Sequence, residues 1–402
     1  MLKKHLLSIV ALLAISLSMP LSRLCAEESN GVVAANNQFA FELYAKYKSK
    51  DGNIFFSPYS ISSALAMTYE GARGKTAEEM LVVFHFPKDG ALRREGFLAI
   101  NNQINKQDKK YELRVANALW AEKDYTFLEN YFKLIKDYYG GGVTNLDFKY
   151  DAENSRLAIN TWVEEQTNNK IRNLIPPGII NNMTRLVLTN AIYFKGKWLK
   201  QFDEKNTIDD DFRISPEKSI KVKMMKLTSN KPDFSYAETD KLQVLELPYD
   251  GKELSMLILL PKAGDLKSVE ESLNSQMLTE LKNNLYANYV DIFLPKFKVE
   301  SKYFMADDLK EMGMPMAFSD KDADFSGMDG MRILFIGQVI HQAFVEVNEE
   351  GTEAAAATAV VMECTGIFER KVFKADHPFI FIIQEKKSGN ILFLGRVNNP
   401  ES

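Results

Sequence analysis

The 402 residues carry 46% hydrophobic and 26% charged side chains, enough to bury a large core and unlike disordered or collagenous chains. A formal charge of −4 leaves no basic excess for a nucleic-acid surface, and two cysteines exclude a disulfide scaffold. No Pro/Gly/Ser-rich linker, low-complexity tract or internal repeat divides the chain, so one large domain is expected.

Lys3, Lys4 and His5 open the chain, an apolar run follows from Leu6 to Met19, and Leu24-Cys25-Ala26 ends it in the pattern of a cleavable export leader. The run is short for a membrane span. The leader is therefore residues 1–26 and the mature domain 27–402. Secretion to the extracellular space is expected, or to the periplasm in a Gram-negative host. A lipid anchor on Cys25 is the alternative, disfavoured by the bulky Leu24 before it. With Cys25 removed, Cys364 is the only cysteine.

Phe39, Leu43 and Tyr47 recur at helical spacing, so the mature chain should start with an amphipathic helix. "NIFFSPYSISSALAMTYEGARG" reads as a short strand and a helix, with Ser57 as N-cap and Pro58 in the first turn. Arg93, Arg94, Lys106, Lys109 and Lys110 read as a solvated face, a polyanion patch being the alternative. "SRLAINTWVEEQTNNKIRNLI" reads as a second helix, stopped by Pro176-Pro177-Gly178. "RLVLTNAIYF" is β-rich, "LQVLELPYDGKELSMLILLP" is a hairpin about Asp250-Gly251, and "DIFLPKFKV" alternates in part. "FIFIIQEKKSGNILFLGRV" is a second hairpin, about Ser388-Gly389. Helices early and strands late predict an α+β fold with a mainly antiparallel sheet.

No enzyme pattern emerges. Beyond the leader only His85, His341 and His377 remain, with no nucleophile elbow, zinc helix, P-loop or dinucleotide glycine motif. Cys364 has no cysteine partner for a metal. Acidic pairs such as Glu164-Glu165 and Glu349-Glu350 read as solvated faces. No cofactor is expected. What does stand out is "EEGTEAAAATAVVMECTGIFERKVF", residues 349–373, a long run of small side chains close to the C-terminus.

Five segments, in order, are similar to those of the serpins: "NIFFSPYSISSALAMTYEGARGKTAEEM", "TNAIYFKGKWLKQF", "DADFSGM", "HQAFVEVNEEGTEAAAAT" and "DHPFIFIIQEKKSGNILFLGRV". The second carries Asn190, Phe194, Lys195, Gly196, Trp198 and Phe202. The resemblance covers the whole mature chain. It implies a single α+β domain of three β-sheets and about eight or nine helices, with an exposed reactive-centre loop over about 349–373. It implies a suicide-substrate inhibitor, whose cleaved loop enters the central sheet as a new strand while the protease stays bound as an acyl-enzyme.

The resemblance makes Glu349, Gly351, Thr352 and Ala354, Ala355, Ala356 and Ala357 the hinge. Gly351 allows a pivot, Thr352 is compact enough to enter first, and the alanines slide between strands at little cost. Counted from Glu349, the family's usual spacing puts the reactive bond at Thr365–Gly366; a loop one residue shorter puts it at Cys364–Thr365. Such small residues, after Val360, Val361 and Met362, suit elastase-like serine proteases first and papain-like cysteine proteases second. Trypsin-like enzymes are expected to cut at Arg370 without being trapped. The resemblance also points to Ser57, Ser60, Asn190 and His341 as a polar cluster, or shutter, beneath the opening strands. A monomer is expected, binding neither nucleic acid nor membrane. A non-inhibitory member acting as carrier, chaperone or storage protein is the alternative.

Overall fold

A computed structural model describes residues 21–106, 109–262, 264, 266–352 and 370–401. Their strands form three sheets, in the order in which neighbours pair. The six-stranded sheet runs β12 (Phe297–Phe304), β13 (Ile340–Val347), β14 (Gly351–Thr352), β4 (Leu186–Lys197), β2 (Tyr111–Glu122) and β3 (Gly142–Leu146). The seven-stranded sheet runs β1 (Ile54–Phe56), β17 (Ile391–Val397), β16 (Phe379–Glu385), β9 (Leu254–Pro261), β8 (Leu242–Pro248), β7 (Phe234–Glu238) and β10 (Tyr286–Asn288). The four-stranded sheet runs β15 (Lys371–Lys374), β11 (Val290–Pro295), β6 (Lys218–Thr228) and β5 (Ile208–Ser215). The expected three-sheet α+β architecture is borne out.

The helices are α1 (Leu21–Tyr47), α2 (Pro58–Gly71), α3 (Gly74–Val83), α4 (Gly90–Ile104), α5 (Glu129–Tyr139) and α6 (Ala152–Gln166), then α7 (Leu266–Ser272), α8 (Ser275–Asn283), α9 (Ala306–Met312) and α10 (Ser326–Asp329). Among the described residues that is ten, the tenth a single four-residue turn. In α1, Phe39, Leu43 and Tyr47 are fully buried, as their spacing requires. The helix also spans Ala26–Glu27, where leader cleavage is expected.

Local chemistry fixes much of this. Ser57 caps α2, its hydroxyl accepting from the Ser60 amide at 3.1 Å, with Pro58 in the first turn. The β8–β9 hairpin turns through Gly251 at φ +85°, and β16–β17 through Gly389 at φ +74°. Every residue of β9, β16 and β17 is buried, since both faces of that sheet are covered. α2 packs between the sheets, against β4 and β2 on one side and β17 on the other. On the opposite face of the six-stranded sheet, Ile159 and Val163 of α6 pack with Trp120, Tyr193 and Phe344 in a second, smaller core.

Several expectations are corrected. The helix predicted to reach Pro176 ends at Gln166. Thr167 turns its hydroxyl onto the Val163 carbonyl, and Asn168 and Asn169 take left-handed backbones at φ +52° and +59°, which asparagine tolerates. "DIFLPKFKV" is two strands in two sheets, β11 and β12, parted after Pro295. Arg93 and Arg94 belong to no patch: both grip the buried Glu70 of α2, at 2.9 and 2.7 Å, and Arg93 is itself buried. Charge pairing across two helices outweighs solvation there.

Candidate functional site

The segment singled out in the sequence leaves from the end of β13, and its geometry depends on how β13 and β4 meet. They pair in parallel only from His341–Asn190 to Phe344–Tyr193. Above that stretch they are parted by β14, and below it no ladder joins them.

In the upper opening, Thr352 pairs with Val347 of β13 on one side and Gly196 of β4 on the other, while Gly351 pairs with Lys197. Gly351 holds φ +152°, and a Cβ there would meet the Gly196 carbonyl oxygen at 2.1 Å. Only glycine permits that approach. Thr352 is fully buried, its hydroxyl 2.9 Å from that of Tyr249. Burial pushes the Tyr249 phenol up, so it stays neutral as a partner. Tyr249 stacks on Trp198 at 4.7 Å, and Trp198 donates its indole N–H to the Asn348 carbonyl at 3.0 Å and its amide N–H to the Glu350 carbonyl at 2.7 Å.

Glu349 and Glu350 are buried, 4% and 5% exposed, which overturns their reading as a solvated pair. Burial alone would raise the Glu349 carboxyl, but Lys296 at 2.8 Å and the Thr207 hydroxyl at 2.8 Å hold it below its usual range. Glu350 lacks such a partner: its Oε2 accepts no hydrogen bond, and burial pushes its pKa up. The expected exposed span of 349–373 is thus corrected at its described ends: Glu349 and Glu350 are buried, Gly351–Thr352 form β14, and residues 371–373 belong to β15. Ala354 to Ala357, Cys364, Thr365 and Gly366 lie outside the described residues.

Where the strands do pair, the structure brings Ser57, Ser60, Asn190 and His341 together. The Ser57 amide donates to His341 Nε2 at 3.0 Å, and His341 Nδ1 bonds the Asn190 side-chain oxygen. Because an amide can only donate, Nε2 must accept and Nδ1 carries the proton. Complete burial lowers the imidazole pKa to about 3, so the ring is neutral. Asn190 Nδ2 donates to Ser60 O at 2.6 Å and to Asn117 Oδ1 at 2.8 Å. Sequence reasoning missed Asn117, opposite Asn190 on β2, as well as Tyr249 and Asn348. Trp198 stood in the resembling segment without a role.

Below the paired stretch lies a cavity of ≈480 Å3. At the far end of the loop, Arg370 forks onto Asp291 at 2.7 and 3.2 Å and donates to the Ser229 carbonyl at 3.0 Å. Arg370, the expected trypsin site, is thus paired with Asp291 while remaining partly exposed. Among the described residues no cluster of His, Cys, Asp and Glu is placed to hold a metal ion. No helix among them is long and apolar enough to cross a membrane.

Comparison with known proteins agrees with this geometry. The family model described as "Serpin (serine protease inhibitor)" matches residues 34–400. A leukocyte elastase inhibitor of Bos taurus is 44% identical over 91% of this chain and 99% of its own length. Uncleaved ovalbumin superimposes with a TM-score of 0.82 at 34% identity, covering 92% of this chain and all of that one. Human thyroxine-binding globulin, solved with its hormone, gives 0.83 at 32% identity over 93% of this chain and all of its own. On these grounds the chain belongs to the serpins, a family of protease inhibitors.

Proposed function

We propose that this protein is an exported suicide-substrate inhibitor of elastase-like serine proteases, with papain-like cysteine proteases as second targets. The observation that carries the reading is Thr352, buried between β13 and β4 as the first rung of a strand. Continuing its register, each further loop residue steps one place down β4. Thr358 would face Asn190, and Val360 to Met362 would face Leu188 to Leu186.

Side chains alternate along a strand, so the parity of Thr352 decides which would point into the core. Ala354, Ala356, Thr358, Val360 and Met362 share it, and none is charged. Glu353 and Glu363 fall on the outward parity. An uncharged inward row over the full depth of β4 is what insertion requires. About a dozen new ladder hydrogen bonds would contribute on the order of 10 kcal/mol. The uncleaved form is then stable by rate rather than by equilibrium.

Export rests on the leader pattern of residues 1–26. The elastase preference rests on small residues at Thr365–Gly366, with Cys364–Thr365 as the shorter-loop alternative, and on likeness to a leukocyte elastase inhibitor. Incubation with pancreatic elastase and a denaturing gel tests the reading. A covalent adduct, with a released peptide starting at Gly366 or Thr365, is expected. Clean cleavage without adduct would favour a non-inhibitory carrier, chaperone or storage role.

A further inference from the structure

We propose that the cavity at the lower end of the parted strands binds a single-chain amphiphile bearing one negative charge, of the medium-chain carboxylate class. Its ≈480 Å3 falls within the roughly 300–1,000 Å3 of small-ligand sites. Leu186, Val187 and Leu188 of β4 all line it, as do Gln338, Val339 and Ile340 across the gap. Consecutive residues of a strand point to opposite faces, so a space that Leu186, Val187 and Leu188 all line lies along the edge of β4, with the chain entering β13 across from it. Leu65 of α2 closes it behind, and apolar side chains surround its mouth. Met183, Ile333 and Phe335 there are 74%, 60% and 47% exposed, an unusual density of large apolar groups left in water.

The charge comes from Arg185. Its Nη1 donates to the Asn182 and Thr184 carbonyls at 3.0 and 2.9 Å, which fixes the guanidinium at the cavity. Nε and Nη2 have no partner among the described residues, and no described carboxylate pairs with Arg185. A mainly apolar slot with one guanidinium on its lining, free of any carboxylate ion pair among the described residues, fits an alkyl chain ending in a carboxylate. The slot is also where Val360 to Met362 would come to rest, so an occupant would compete with loop insertion. That consequence rests on the inhibitory reading; the binding does not.

The test is titration of the full chain with 11-(dansylamino)undecanoate, below its micelle concentration, followed by fluorescence. Saturable one-to-one binding is expected. Arg185→Gln should weaken the probe about tenfold yet leave displacement by the neutral dodecanol unchanged, while Phe335→Ser should weaken both ligands. Both positions are partly exposed, and unchanged unfolding midpoints will verify the fold. Absence of saturable binding, or equal affinity across wild type and both variants, overturns the site. In a separate assay, saturating dodecanoate should shift elastase from adduct towards cleaved product. An unchanged ratio alongside confirmed binding overturns the competition. Absence of adduct without any ligand defeats the inhibitory reading, with the titration still deciding the site.

Discussion

Between Asn190 and Gly196, the strands β4 and β13 are held by two different kinds of contact. At the top they are already parted, and what fills the gap is Thr352, paired through its backbone with Val347 and Gly196 and through its hydroxyl with Tyr249, which stacks on Trp198. In the middle they are joined by a directional network in which Ser57, Asn190, His341, Ser60 and Asn117 each have a fixed partner. Contacts of the first kind re-form around any small uncharged side chain. Those of the second must break before a strand can pass. On the proposed inhibitory reading the difference would locate the barrier: insertion would begin at the hinge and meet resistance at the polar cluster.

The largest expected effect removes that resistance. On the inhibitory reading, nicking the loop between Val360 and Gly366 would free it to fill the whole gap, and the roughly 10 kcal/mol of new pairing should raise the thermal midpoint by at least about ten degrees. Calorimetry of nicked and intact protein measures it. An unchanged melt after confirmed cleavage would mean that the two openings never join.

Acid should act on the middle through His341. The His341 imidazole has a folded pKa of about 3, below its usual 6.5. A base depressed in the folded state is protonated first in the unfolded chain, so stability is complete above pH 6.5. It is lost as pH falls from there to about 3, by an amount on the order of 5 kcal/mol. Urea midpoints of wild type and His341→Gln, compared at pH 7, 5.5 and 4, isolate this part. The variant should start lower and show a shallower loss on acidification; parallel curves would show that His341 does not titrate in that window.

Thr352→Arg strikes the top. It places a charge where the side chain is fully buried beside Tyr249, at a cost of about 4 kcal/mol. Slower insertion gives the protease time to deacylate, so the variant should be consumed as a substrate. Trapping at the parental stoichiometry would show that this position does not lead the strand.

Legibility in the sequence followed the range of the interaction. Hairpins about Asp250-Gly251 and Ser388-Gly389, the Ser57 cap and the buried face of α1 are local and were readable. The end of α6 was misplaced because prolines are conspicuous breakers and left-handed asparagines are not. Glu349 and Arg93 were read as solvated because their partners, Lys296 and Glu70, lie on other elements. Resemblance supplied the members of the polar cluster, but no short-range signal named Asn117 or Tyr249. Small residues occupy both parities of the loop, and only the burial of Thr352 indicates which parity must be uncharged.

The smallest effect separates two neighbours at the hinge. Glu349 has Lys296 and Thr207, whereas Glu350 has a carboxylate oxygen without any hydrogen bond and a pKa raised by burial. An acid whose folded pKa is raised costs stability once pH climbs above its unfolded value near 4.5, and the cost is complete above the folded pKa. Glu350→Gln removes the charge with little change of shape, so at pH 7 it should raise the unfolding midpoint by about 1 °C, corresponding to about 1 kcal/mol in a domain of this size. Below pH 4 the gain should vanish, since the wild-type carboxyl is then protonated. Glu349→Gln should do the reverse at pH 7, because it discards the ion pair with Lys296. If both variants destabilise equally at pH 7, the hinge does not discriminate between its two carboxylates, and Glu350 has a partner in solution.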